Sequence, residues 1–95
     1  MFEQSPEYAQ YELILEEFGD FDELRFCDAV LIIPSELKFS AQPHGRGLGY
    51  ILNDKTDRFP NGAEISTSTI QSVVEINEHI RIIRTRNTTY YGVII

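Results

Sequence analysis

Cysteine, histidine and cationic side chains are all scarce in this chain, and each shortage removes a class of function. A single cysteine, Cys27, cannot close an internal disulfide and fits a reducing compartment, so a cytoplasmic setting is expected. Asp22, Glu23 and Asp28 sit close to it in sequence. Such acids raise a thiol pKa, which points to a small core hydrophobe and away from a nucleophile. Neither His44 nor His79 has a cysteine or a second histidine at metal-ligand spacing, so no metal is expected. The longest apolar run, residues 29–33, is far short of the roughly 20 residues that span a bilayer, and no membrane association is expected. Residues 1–7 lack the basic start and apolar stretch of a secretory leader. No Gly-x-Ser-x-Gly elbow, P-loop or dinucleotide fingerprint occurs, so the chain reads as a binding protein without catalytic residues or a cofactor.

What is present is acid, and it is unevenly placed. Residues 1–30 hold nine carboxylates against Arg25 alone, a net of −8, whereas residues 31–95 carry a net of +1. Direct binding of duplex DNA is disfavoured, because phosphate attracts a basic footprint. An acidic face can instead engage a basic protein surface, or simply keep the chain soluble. At 95 residues the chain is long enough for one domain, burying roughly two-thirds of its unfolded surface around a small core.

The pattern predicts three parts: an acidic helical part over 1–34, a Gly/Pro loop over 35–49 and an antiparallel β part over 50–95. Ser5 is suited to an N-cap and Pro6 to the first helical position. Tyr8, Tyr11, Leu15 and Phe18, flanked by Ile14, then form an apolar stripe at helical spacing, and Gly19 is suited to a C′ position. A helix over Pro6–Phe18 follows. Asp20 is a candidate cap for a second, short helix. Residues 24–33 read either as helix or as a buried strand, since Val30, Ile32 and Ile33 are β-branched. Beyond the loop, strands are expected over 50–53, 64–68, 70–76, 79–86 and 89–95, with reversals at Asn61-Gly62, Asn77-Glu78 and Asn87. The fold class is α+β: an amino-terminal amphipathic helix packed on an antiparallel meander.

Three groups of residues are candidates for binding. Gly45, Gly47 and Gly49 around Arg46 resemble a phosphate cradle, or form a flexible turn. Arg84 and Arg86 are two apart in an expected strand, so they project together beyond Ile80 and Ile82. Paired guanidiniums hold phosphate oxygens bidentately, or form salt bridges with Glu75, Glu78 or the helix acids. Phe59 offers a stacking ring, or anchors its turn in the core.

The run Arg58, Phe59, Pro60, Asn61, Gly62, followed by residues 64–68 and 82–90, resembles the carboxy-terminal part of the Thoeris anti-defence sponge family of small phage and prophage proteins. The likeness spans residues 47–95. Those proteins sequester cyclic nucleotide or cyclic ADP-ribose-type immune signals without cleaving them. The resemblance implies an aromatic ligand contact at Phe59 and an arginine contact at Arg86. Where the family pattern expects an amide-bearing contact after the Thr67-Ser68 pair, this chain has Thr69. It also implies a ligand site between subunits, and the apolar run 90–95 would be a sticky edge if uncovered, so a homo-oligomer is expected. The alternative is an acidic, anti-CRISPR-like inhibitor that engages a host defence protein through its first helix.

Overall fold

The computed structural model describes residues 1–19 and 21–95. Asp20, the candidate second cap, lies outside them. The first helix, α1, spans Pro6–Phe18 as its spacing dictates. Ser5 Oγ accepts a hydrogen bond from the Tyr8 amide at 3.2 Å, satisfying one of the helix's orphan donors. Gly19 ends the helix through its amide bond to the Leu15 carbonyl, but in an extended conformation and not the left-handed one expected of a C′ glycine. Its lack of a side chain is needed for space, since an added Cβ would collide with the Leu15 carbonyl.

Both readings of residues 24–33 hold in part. A short helix, α2, covers Phe21–Arg25, and strand β1 covers Ala29–Ile33. The amino-terminal part is therefore not wholly helical. All five residues of β1 are buried, the pattern of a strand covered on both faces. The following 35–49 segment is also more ordered than a loop: Ser35–Ser40 forms a 3-10 helix and Leu48–Leu52 forms β2. Then come β3 (Glu64–Ser66), β4 (Ile70–Glu75), β5 (Ile80–Thr85) and β6 (Thr89–Ile94).

The six strands make one sheet in the order β3-β2-β1-β6-β5-β4. It is mostly antiparallel, and β4, β5 and β6 do form a meander. The simple meander expected for the whole sheet is interrupted by β1, which enters between β2 and β6 and runs parallel to β6. Consequently β6 is an interior strand, flanked by β1 and β5. The apolar run at 90–95 is covered within the chain, and the reason for expecting it to be a sticky edge falls away.

The sheet cannot be flat. Strands β3 and β4 are its two edges, which in a flat sheet would stand about 24 Å apart. Yet only residues 67–69 join them, a link that reaches at most about 14 Å. The sheet curls so that its edges approach, and residues 44–47 fill the seam. There the His44 amide bonds the Ile70 carbonyl at 2.8 Å, the Ile70 amide bonds the Gly45 carbonyl at 2.8 Å and the Thr67 amide bonds the Gly47 carbonyl at 2.9 Å.

Two cores result. Inside the curl, Ala29, Leu31, Ile33, Ile51, Ile70, Ile83, Tyr90 and Ile94 pack with Ala41 and Leu37. On the outer face, Tyr11, Leu15 and Phe18 of α1 pack against Val30, Ile32, Leu52, Ile80, Ile82, Tyr91 and Val93. Gly49 makes the curl possible at β2, because an added Cβ would collide with the Ile32 carbonyl of the neighbouring strand. Gly49→Ala should therefore destabilise the fold by at least about 2 kcal/mol, the scale of overpacking that backbone must absorb. Leu13→Ala, on the exposed side of α1, should stay within about 0.5 kcal/mol of the parent. Urea unfolding of both variants measures the contrast.

Candidate functional site

One end of the curled sheet gathers three segments: residues 26–28 before β1, 53–62 within the β2–β3 connection, and 86–88 between β5 and β6. Asp28 links the first to β6. Its amide donates to the Thr89 carbonyl at 2.7 Å and its carboxylate accepts from the Thr89 amide at 2.8 Å. Lys55 links the second to the first, through its amide to the Asp28 carbonyl (2.9 Å) and its Nζ to the Arg25 carbonyl (2.8 Å).

The 53–62 connection is organised around Asp54. That carboxylate accepts hydrogen bonds from the Thr56 hydroxyl at 2.9 Å, the Arg58 amide at 2.9 Å and the Arg58 Nε at 3.2 Å. Asn53 and Asp57 take left-handed conformations, which short polar side chains tolerate, and Gly62 closes the loop at φ 88. The second face of Arg58 reaches across thirty positions: its guanidinium donates to the Thr88 hydroxyl at 3.2 Å. Thr88 is itself buried and its carbonyl accepts from both the amide and the hydroxyl of Thr85. Burial alone would raise the Asp54 pKa, but the hydrogen bonds from Arg58 and Thr56 overcome it and hold the carboxyl at about 2.

The predicted binding residues fall around this end. Phe59 is 41% exposed, with the Arg58 guanidinium 5.7 Å from its ring centre, so it is not a core anchor. Arg86 is exposed and lies just past the end of β5. The Arg58–Thr88 bond thus draws the connection bearing Phe59 onto the turn bearing Arg86. Ile70 and Thr85 are Cα partners across β4 and β5; one step further along the two chains lie Thr69 and Arg86. On its other side Ile70 bonds Gly45, which brings Arg46 to the same seam. Phe59 and Arg86 are therefore carried on segments that meet at one end of the sheet, Thr69 lies one step beyond the Ile70–Thr85 pair beside Arg86, and Arg46 stands on the seam next to Gly45, before the start of β2.

Arg84 is the exception. It sits on β5 itself, on the outer face it shares with Ile82, and lines a cleft of about 370 Å³ with Glu23, Ser72, Val74, Ile76 and Ile82. Arg86 lies one residue past the end of β5 and is not among the residues that line this cleft. Neither arginine makes an ion pair with Glu75, Glu78 or the α1 acids among the described residues.

The glycine segment is neither a phosphate cradle nor a loose turn. The Gly45, Gly47 and Leu48 amides are already bonded, to the Gln42 carbonyl (3.0 Å), the Thr67 hydroxyl (2.9 Å) and the Ser40 hydroxyl (3.1 Å). Cys27 is buried, as expected of a core hydrophobe, and its thiol is pushed up to about 11 by burial and by Glu23 and Asp28. Sequence reasoning missed Asp54, Arg58 and Thr88, which hold this end together. The signal for the first two was the Asp-x-Thr-x-Arg spacing, with the carboxylate two and four residues before its donors.

Asp54 also gives the fold a pH signature. Its folded pKa lies below the ordinary value of about 4, so the unfolded chain takes up the proton first. The stability it contributes is complete above that ordinary value and is lost as pH falls toward about 2. Asp54→Asn should flatten this part of the acid unfolding profile, measured by thermal melts between those limits. Compared with known proteins, the chain matches no family model, no curated protein and no solved structure.

Proposed function

We propose that the protein is a binding protein that takes an anionic, nucleotide-derived signal at this end of the sheet and holds it without cleavage. The observation that carries the reading is the Arg58–Thr88 hydrogen bond, which joins the Phe59 connection to the Arg86 turn across thirty residues. A base stacks on Phe59, and phosphate oxygens meet Arg86, with Arg46 and Thr69 on the adjoining seam. Arg58 keeps its guanidinium behind the Phe59 ring and supports stacking from below. In the setting implied by the resemblance, the ligand is a cyclic nucleotide or cyclic ADP-ribose-type immune signal. The protein is then a phage-type sponge acting in the host cytoplasm.

Calorimetry against cyclic nucleotides and cyclic ADP-ribose isomers, followed by heat release of the bound molecule, tests this directly. Ligand recovered chemically intact supports sequestration. Arg86→Ala should weaken binding by about 1.5–3 kcal/mol, the range of a hydrogen bond to a charged group. Phe59→Ala should cost about 1–3 kcal/mol in lost stacking. No binding by the parent to any of these molecules sinks the reading.

A second reading rests on α1. Its exposed face carries Glu12, Glu16 and Glu17 around Leu13, which is 65% exposed. Glu12 and Glu16 are spaced i,i+4, a like-charge pair that costs helix stability. No base neutralises any of the three among the described residues. This face favours an acidic inhibitor of a host defence protein. Neutralising Glu12, Glu16 and Glu17 to Gln separates the two. The sponge reading expects nucleotide binding to be unchanged or slightly tighter, whereas the inhibitor reading expects loss of a protein complex with the arginines dispensable.

A further inference from the structure

Strand β4 is an edge strand that the fold leaves open. Its first residue is occupied on the free side, where Ile70 exchanges hydrogen bonds with His44 and Gly45. From Gln71 onward, among the described residues, only β5 pairs with it. Edge strands are commonly blunted by shortness, proline, lysine or a bulge. The opposite edge, β3, is three residues long. By contrast β4 has six residues, contains no Lys or Pro, and has its one irregularity between Ile70 and Ser72, at the end already covered. On its outer face Val74 follows the exposed Ser72 and is 56% exposed, and Ile76, just past the strand's end, is 37% exposed.

We propose that β4 pairs edge to edge with β4 of a second copy, antiparallel and centred on Val74, to form a two-fold dimer with a continuous twelve-stranded sheet across the interface (six strands from each copy). The register follows from what is open. In a two-fold antiparallel pair, opposed residues share a face, so the axis passes midway between one residue and its own copy. Centring on Val73 would bring Ile76 against the partner's Ile70, whose edge is taken by Gly45. Centring on Val74 uses residues 72–76 and avoids that block.

The side chains suit this register on both faces. Val74 opposes Ile82 within the chain, so the outer face gains a row Ile82, Val74, the partner's Val74 and the partner's Ile82. Ser72 lies opposite the partner's Ile76. On the inner face Val73 meets the partner's Glu75, which already neighbours that copy's Arg81 across β5. No carboxylate opposes another. Glu75 is the one charged residue of β4 in a chain of net charge −7, so pairing at this edge brings few like charges together. The proposal is independent of the ligand reading.

Sedimentation equilibrium of the full chain, in a concentration series reaching high micromolar, provides the test. The parent should dimerise, and Val74→Lys should weaken the dimer by at least about tenfold, because it replaces a cross-strand apolar pair by opposed like charges. Val74 is exposed, so circular dichroism of this variant should match the parent. Val74→Cys should form an intermolecular disulfide on mild oxidation, since opposed residues place their Cα atoms about 4.5–5.5 Å apart. Cys27 is buried, so the parent should not cross-link. A parent that stays monomeric throughout, or a dimer unaffected by Val74→Lys and not trapped by Val74→Cys, would overturn the proposal.

Discussion

The link between the two edge strands is the constraint on which the rest of the structure depends. Residues 67–69 must carry the chain from β3 to β4, the opposite edges of a six-stranded sheet, and so short a link dictates curvature. Thr67 is the residue that fixes it. Its hydroxyl accepts from the Gly47 amide at 2.9 Å and donates to the Ser68 carbonyl at 2.7 Å, with almost no exposure to solvent. A polar group buried this deeply is tolerated because both its hydrogen-bonding roles are filled. The seam is thus zipped by backbone and one hydroxyl, with glycines supplying the close approach.

Curling divides the apolar residues between two cores of different reach. The inner one draws on all six strands, because a curled sheet turns one face of every strand toward the same volume. The outer one is limited by its lid. A helix of 13 residues is about 20 Å long, and α1 covers side chains from β2, β1, β6 and β5 only. Strand β4 lies beyond its reach. The bare Val74 and Ile76 are therefore a consequence of a short helix on a wide sheet, and this same geometry leaves the β4 edge available.

Much of this was legible in the sequence, and the failures share a cause. The α1 stripe, the Ser5 cap and the reversals at Asn77-Glu78 and Asn87 are local patterns, and the structure follows them. The parallel entry of β1 beside β6 joins Ala29 to Tyr90, and no local periodicity encodes a partner sixty residues away. The strand itself was visible as β-branched residues, but its neighbours were not. Likewise glycines that admit a neighbouring strand look in sequence like glycines that cradle an anion; only the filled amides of Gly45 and Gly47 tell them apart. At the candidate site, Phe59, Arg86, Thr69 and Arg46 could be named one by one. The bond from Arg58 to Thr88 that draws the first two together could not.

The charge distribution sets how the proposed site works. Glu12, Glu16 and Glu17 are exposed on α1, and in a chain of net charge −7 they oppose the approach of any anion from a distance. Physiological salt screens such fields beyond about 8 Å, so what an arriving phosphate meets at the 86–88 turn is mostly local. There Arg58 is spoken for by Asp54, whereas Arg86 has no carboxylate partner among the described residues. The division of labour is physical: the arginine that is neutralised builds the end of the sheet, and the one that is not remains available to a ligand. An unpaired surface guanidinium costs the fold little, because water solvates it, yet it offers a planar fork to phosphate oxygens. The same acids that repel a free nucleotide at long range would attract a basic protein surface, so the two proposed functions call on opposite ends of one charge distribution.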